Sequence, residues 1–332
     1  MPDAAGSLQG LPPPFAQRLA ALLPAEDFAA CWPTFLRPRR TAFRLNPLRA
    51  DPESILEELR AGGLDPVPLP FPPQAYVVPP QQRRALTESE ACAAGRLYIQ
   101  NAASMVPPHV LGPRPGEEVL DLAAAPGSKT LQLAALMENR GRVAAVEPVR
   151  SRFHRLRRNL EAGGATCVRA YLRDGTTVWR DCPERFDRVL VDAPCSAEGR
   201  FDASAPSTFA LWSRRKIVEM ARKQKRLLYA GIQCLRPGGV LVYSTCTFAP
   251  EENEAVVQRV LQQFRGALQV DRVDLPTGQA RPGLHAWQGK EFDPQLGGAV
   301  RLLPDGVLEG FFVCRLTKLS STLPPRRLTR GC

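Results

Sequence analysis

Short apolar runs separated by longer amphipathic stretches dominate the chain, and the alternation becomes regular after about residue 116. Val189-Leu190-Val191 and Val240-Leu241-Val242-Tyr243 are strand-sized and uninterrupted, as expected of strands covered on both faces. The pattern predicts strands at 118–122, 143–147, 167–170, 188–192 and 240–244, with helical periodicity between them. Pro237-Gly238-Gly239 predicts a turn that ends a long helix starting near Ser213 and feeds the last of these strands. A further helix at 251–264 and a terminal strand at 311–316 complete an α/β domain with a mostly parallel sheet.

Ahead of it, residues 41–70 hold a strand-like Ala42-Phe43-Arg44-Leu45, a helix at 52–61, the stop Gly62-Gly63 and another extended run, which predicts a small α/β module. The proline-punctuated stretch 66–80 predicts an irregular connection between modules. The divisions expected are a lead-in at 1–36 with a short helix at 15–23, a small domain at 37–100, the larger domain at 101–318 and a basic tail at 319–332.

The first strand of the large domain runs into Asp121-Leu122-Ala123-Ala124-Ala125-Pro126-Gly127-Ser128-Lys129-Thr130, small residues that let a ligand approach the backbone where a helix begins. Glu147 ends the second strand, where an acid can accept from both hydroxyls of a ribose. Asp174 follows the third strand, placed to reach an adenine amino group, and Asp192 closes the fourth. Any one of these acids is most simply a turn former or cap. Together with Asp121 they put a carboxylate at the ends of four consecutive strands, on one rim of the sheet, which favours an adenosine-type cofactor. A phosphate loop needs Gly directly before Lys, and a dinucleotide fingerprint needs three glycines; this loop has neither. S-adenosylmethionine, which has no pyrophosphate, fits better.

The fourth and fifth strands end in Asp192-Ala193-Pro194-Cys195-Ser196 and Ser244-Thr245-Cys246-Thr247, so two thiols emerge at adjacent rims. These residues closely resemble the Nol/Nop/Sun family of RNA cytosine-5 methyltransferases, over about 41–316. Ala123 stands where many members carry Cys, Asn101-Ala102 where Glu-Ala or Glu-Ser is usual, and Asp305 where His is expected. The resemblance implies a Rossmann-like class I methyltransferase domain with a mostly parallel seven-stranded sheet, and a small N-terminal RNA-recognition-like α/β domain. It implies cofactor contacts from Ala123, Ala124, Ala125, Pro126, Gly127, Ser128, Lys129, Glu147, Asp174 and Asp192. It also implies Cys246 as the nucleophile and Cys195 in product release. The chemistry explains the residue types: carbon 5 of cytosine becomes nucleophilic only after a thiolate adds at carbon 6, and cysteine supplies that thiolate near neutral pH. Asp192 would then hydrogen-bond the amino group and ring nitrogen 3 of the base.

A formal net charge of +11, concentrated in arginine clusters at 37–40, 150–158, 214–226 and 326–330, points to a polyanionic partner. The expected partner is RNA, ribosomal first and transfer RNA second. A solvated arginine-rich surface would show the same charge. No apolar run approaches the roughly 20 residues that span a bilayer, and no signal segment opens the chain. The nine cysteines have no metal-ligand spacing, so free thiols are expected, with Cys167, Cys234 and Cys314 as core residues. A cytoplasmic, metal-free protein, monomeric by default, is the resulting picture. Two competitors are an amino-directed methyltransferase, whose Asp/Asn-Pro-Pro-aromatic loop is absent, and a non-catalytic RNA-binding assembly factor, which would leave both cysteines unexplained.

Overall fold

The computed structural model describes residues 10–323; the arginine cluster at 326–330 and most of the predicted tail lie outside the described residues. Two helices, α1 (Pro13–Leu22) and α2 (Ala25–Cys31), come first. They are not a detached lead-in. Phe15, Leu19 and Phe35 are buried against Phe201 and Phe248, which belong to the segments that follow the two rim cysteines.

The small domain runs β1 (Thr41–Leu45), α3 (Pro52–Ala61), β2 (Val67–Pro68), β3 (Ala75–Val78), α4 (Arg83–Glu88), α5 (Glu90–Ala93) and β4 (Leu97–Ile99). Asp51 caps α3 by accepting from the amides of Glu53 and Ser54, and Pro52 fits the first helical position. The antiparallel sheet has the order β2-β3-β1-β4, the split βαβ arrangement of a ferredoxin-like module. One face packs Phe43, Leu45 and Val78 onto Ile55, Leu56 and Leu59 of α3. The other, through Ala42, Ala75 and Val77, shares a core with Met105, Val106 and Leu133 of the large domain. That face is therefore docked and offers no open platform for base stacking. The stretch 66–80 corrects the sequence reading: it is not a plain connection, because β2 and β3 lie in it and β3 pairs with β1. The prolines at 70, 72 and 73 are confined to the turn, which leaves Ala75-Tyr76-Val77-Val78 free to pair.

In the large domain α6 (Val106–Leu111) precedes β5 (Glu118–Asp121), α7 (Ser128–Leu136), β6 (Arg142–Val146), α8 (Arg150–Ala162), β7 (Val168–Tyr171) and β8 (Phe186–Asp192). The chain continues through α9 (Arg214–Cys234), β9 (Leu235–Thr245), α10 (Glu254–Gln263) and β10 (Leu268–Asp271). Then come β11 (Ala280–Pro282), a β12 (Ala286–Trp287) to β13 (Lys290–Glu291) hairpin, β14 (Val300–Leu302) and β15 (Phe311–Lys318). Five parallel strands, β7-β6-β5-β8-β9, form the half of the sheet that carries the candidate site. Antiparallel β15, β10, β14 and β11 extend the sheet to nine strands, where seven were expected. Strand order reverses direction at β5, so the crevice beyond the carboxyl ends of β5, β6 and β8 is where such a sheet binds ligands. Pro237-Gly238-Gly239 does not end α9, which stops at Cys234. It lies in an excursion of β9 opposite Asp187, between the pairs Phe186 with Leu235 and Arg188 with Val240, and Gly238 takes a φ of +79° there.

His109 sits at the seam between the domains, edge-on to Phe71. Burial, aided by the Arg44 charge, pulls its imidazole down to about 4 from the usual 6.5. The fold thus favours neutral His109, so the contribution is complete above pH 6.5 and is lost as pH falls from there toward 4. At about pH 5 this amounts to roughly 2 kcal/mol. His109→Gln is expected to lose less Tm than the parent between about pH 7.5 and pH 5 in thermal melts; equal losses would contradict the assignment.

Candidate active site

A cleft of about 540 Å³ opens at the carboxyl ends of β5, β6, β7, β8 and β9. Every residue predicted to touch the cofactor lines it except Gly127, whose task is conformational. Gly127 holds a φ of +107°, and a Cβ there would meet Leu156 at 3.0 Å, so only glycine brings the loop over α8 into the start of α7. The loop is pinned from below: Arg152 donates to the Ala125 carbonyl at 2.8 Å and Asn159 to that of Pro126 at 2.8 Å.

The four acids are not equivalent. Glu147 is buried and accepts from the Val149 amide at 2.9 Å, with Arg152 3.7 Å from its second oxygen. Asp174 is exposed and accepts from the Thr176 amide at 2.9 Å in a tight turn. Asp121 is buried and accepts from the Thr130 hydroxyl at 2.7 Å, while its Oδ1 has no partner. Burial, and then the nearby Asp192 charge, push the Asp121 carboxyl up to about 6. Asp192 accepts from Lys129 Nζ at 2.7 Å and from Ser244 at 2.8 Å. Lys129 also donates to Ser104 at 2.6 Å, so its ammonium is clamped between the domain-linking segment and the β8 rim.

Cys195 and Cys246 meet with Sγ atoms 3.3 Å apart. The hydrogen bond to Cys246 and burial push the Cys195 thiol well above its usual range, and either sulfur can donate across the contact. The two loops are joined by several bonds. Ser196 and Thr247 share a hydroxyl contact of 2.8 Å, the Gly199 amide donates to the Cys246 carbonyl at 2.9 Å, and Glu198 accepts from Thr247 and the Phe248 amide. Glu252, fully buried, accepts from the Ser196 amide at 3.0 Å and from Gln224 at 2.7 Å, and Gln224 also donates to the Pro194 carbonyl. Burial raises Glu252 to about 7. Substituting any member strands a buried polar partner at about 1–3 kcal/mol, so the sulfur positions are strongly constrained.

Sequence reading missed Ser104, Ser244, Glu198, Glu252 and Arg200. The Glu198-Gly199-Arg200 turn and Glu252, close after the rim cysteines, were the available signals. Arg200 lies at the cleft mouth, and no side-chain hydrogen bond or ion pair engages it among the described residues. Asn101 also lines the cleft, beside Glu309, which pairs with Arg39 at 3.1 Å. Asp305 accepts from the amides of Val307 and Leu308 and shapes the turn before β15. All eight described cysteines are free, with Cys234 and Cys314 buried and Cys167 partly so. No described helix is long and apolar enough to cross a membrane.

Comparison with known proteins now adds to this geometry. The chain is 37% identical, over 91% of its length and 94% of the relative's, to a tRNA (cytosine(49)-C(5))-methyltransferase of Pyrococcus abyssi. It is 35% identical to a ribosomal RNA small subunit methyltransferase F of Vibrio atlanticus, matching 95% of this chain but spanning only 65% of that longer protein. Among solved structures, a methyltransferase homolog protein from Pyrococcus horikoshii superposes with a TM-score of 0.77 at 31% identity, covering 93% of this chain and all of that one. NSun6 from the same organism gives 0.81 at 22% identity, over 95% of this chain and all of that one, which supports the shared class I methyltransferase fold. Residues 108–317 match the family described as 16S rRNA methyltransferase RsmB/F, and the chain belongs to that family.

Proposed function

We propose that the chain transfers a methyl group from S-adenosylmethionine to carbon 5 of a cytosine in structured RNA, ribosomal RNA first and transfer RNA second. The observation that carries this is the 3.3 Å thiol pair at the edge of a cleft built for an adenosine cofactor. Residues of the cleft suit that cofactor: small side chains at Ala123 to Ala125 leave its floor open, and Glu147 and Asp174 offer acceptors. When bound, the cofactor supplies an electrophilic methyl. The names of the relatives, which act on ribosomal and transfer RNA, support the substrate class.

In this reading Cys246 Sγ adds to carbon 6 of a flipped-out cytosine, and the electron pair moves toward ring nitrogen 3 and carbon 5. Asp192 accepts from the base amino group while Lys129, 2.7 Å from that carboxylate, supports the charge gathering on the ring. Once carbon 5 carries the methyl group, its proton leaves with the help of Cys195, directly or through water, and the Cys246–carbon 6 bond breaks. Arg200 is the cation facing this chemistry. Although burial pulls its guanidinium down, the neighbouring Cys246, Glu309, Cys195 and Asp192 hold it above an ordinary arginine. Arg200→Gln is expected to slow both methylation and iodoacetamide labelling of Cys246 by about tenfold, with cofactor binding unchanged. Equal labelling, resolved by peptide mass spectrometry, would remove that role.

The test of the function is incubation with total RNA and methyl-labelled S-adenosylmethionine, followed by digestion to nucleosides and mass spectrometry. Labelled 5-methylcytosine is expected. An N-methylated base, or salt-sensitive RNA binding without any turnover, would overturn the reading.

A further inference from the structure

Away from the cleft, a groove of about 240 Å³ runs between α9 and α10, lined by Lys225, Arg226, Arg259, Tyr229 and Thr176. Arg222 and Lys290 stand close enough to repel Lys225. Burial first, and then Arg259, Lys290 and Arg222, hold the Lys225 ammonium below its usual range, with no acid opposing them. Some basic side chains outside the groove pair with acids, as Lys216 does with Glu219, Arg173 with Asp181 and Arg236 with Asp187. Among the described residues the groove cations make no ion pair, and the one hydrogen bond from their side chains runs from Arg226 to Thr176 at 3.3 Å. Like charges gathered in a partly dry groove weaken the fold, and an anion laid along them reverses that cost.

The groove adjoins the cleft along the chain. Lys223 and Leu227 of α9 line the cleft, as does Gly175, and Thr176 beside Gly175 is a groove wall. Tyr229 is stacked on Phe264 and edge-on to Trp179, so its ring is already covered and cannot stack on a base. The groove thus has the means to hold phosphates and lacks the means to read bases.

We propose that the α9–α10 groove binds the sugar-phosphate backbone of the RNA substrate, carrying the strand from the cleft onto the face of the sheet opposite the small domain. This rests on the RNA reading of the cleft. The test uses the full chain with the double substitution Lys225→Glu and Arg259→Glu, and the milder Lys225→Gln with Arg259→Gln. RNA affinity is measured by fluorescence anisotropy across a salt series, alongside methylation kinetics. The double Glu variant is expected to bind structured RNA roughly tenfold more weakly near 0.15 M salt, with a log–log salt slope shallower by about 1.5, as for two lost phosphate contacts. The Gln pair should show the same change in slope with a smaller loss of affinity. KM for RNA should rise while kcat and cofactor affinity hold and Tm stays level or rises with the repulsion relieved. An unchanged slope and KM would overturn the proposal and leave the groove to some non-RNA anion. A wild type that binds RNA with a groove-dependent slope but forms no 5-methylcytosine would overturn the proposed activity and leave the groove standing.

Discussion

Cys246→Ala is expected to lower 5-methylcytosine formation by at least about 10⁴-fold, while Cys195→Ala is expected to leave a denaturant-resistant protein–RNA adduct. The asymmetry follows from the thiol pair. Cys195 is pushed up by its bond to Cys246 and by burial, which disfavours a thiolate on Cys195 at the 3.3 Å contact. In the proposed mechanism addition to carbon 6 falls to Cys246. Once the base has alkylated Cys246 in the proposed mechanism, Cys195 stands beside the adduct to take part in removing the proton at carbon 5. Without it the adduct forms, accepts the methyl group and is released slowly. Labelled RNA on a denaturing gel, beside nucleoside mass spectrometry, reads both arms. Normal methylation by Cys246→Ala would sink the covalent mechanism, and Cys195→Ala turning over without any adduct would sink the assigned division of labour.

This constellation was legible because it sits where strands end. Parallel strands buried on both faces read as continuous apolar runs, so Val189-Leu190-Val191 and Val240-Leu241-Val242 located the rims at Asp192 and Cys246 to within a residue or two. Residues joined to a strand by a short rigid loop inherited that accuracy, which is why the cofactor loop and both cysteines converge in one cleft. Short edge strands carry no such signal. β11 and β14 extend the sheet with three residues each, and β3 was hidden among prolines. The role of the N-terminal helices was equally hidden, because Phe15 contacts Phe201 with ring centroids at 4.7 Å across a gap in sequence that no local pattern spans. Arg200 and Ser104 were missed for the same reason: their importance lies in what the fold brings near them. The docked face of the small domain, too, depends on a partner surface that no local pattern shows.

Lys129→Met is expected to reduce kcat by about 10²–10³-fold while cofactor affinity stays within about threefold. Lys129 is 7% exposed, and its ammonium makes two short contacts, to Ser104 at 2.6 Å and Asp192 at 2.7 Å. A cation is kept so dry only when its partners match it, and here one of them is the carboxylate assigned to the base. Ground-state cytosine is neutral, whereas the Cys246 adduct places charge on the ring nitrogen beside Asp192; a fixed cation there stabilises the adduct more than the substrate, which is the condition for an effect on kcat. Methionine keeps the length of the stem and its packing over the Phe311 ring, 5.6 Å from the ammonium, so it removes charge with little loss of packing. Arginine should not rescue, because a planar fork cannot reproduce two convergent contacts in a slot shaped for one nitrogen. Ser104→Ala removes the second anchor alone and should cost less than tenfold. Single-turnover methylation with saturating cofactor, together with thermal melts, separates the possibilities. A kcat loss that tracked a falling Tm, or a rise in KM with kcat intact, would make Lys129 a scaffold residue and leave Asp192 to act on the base alone.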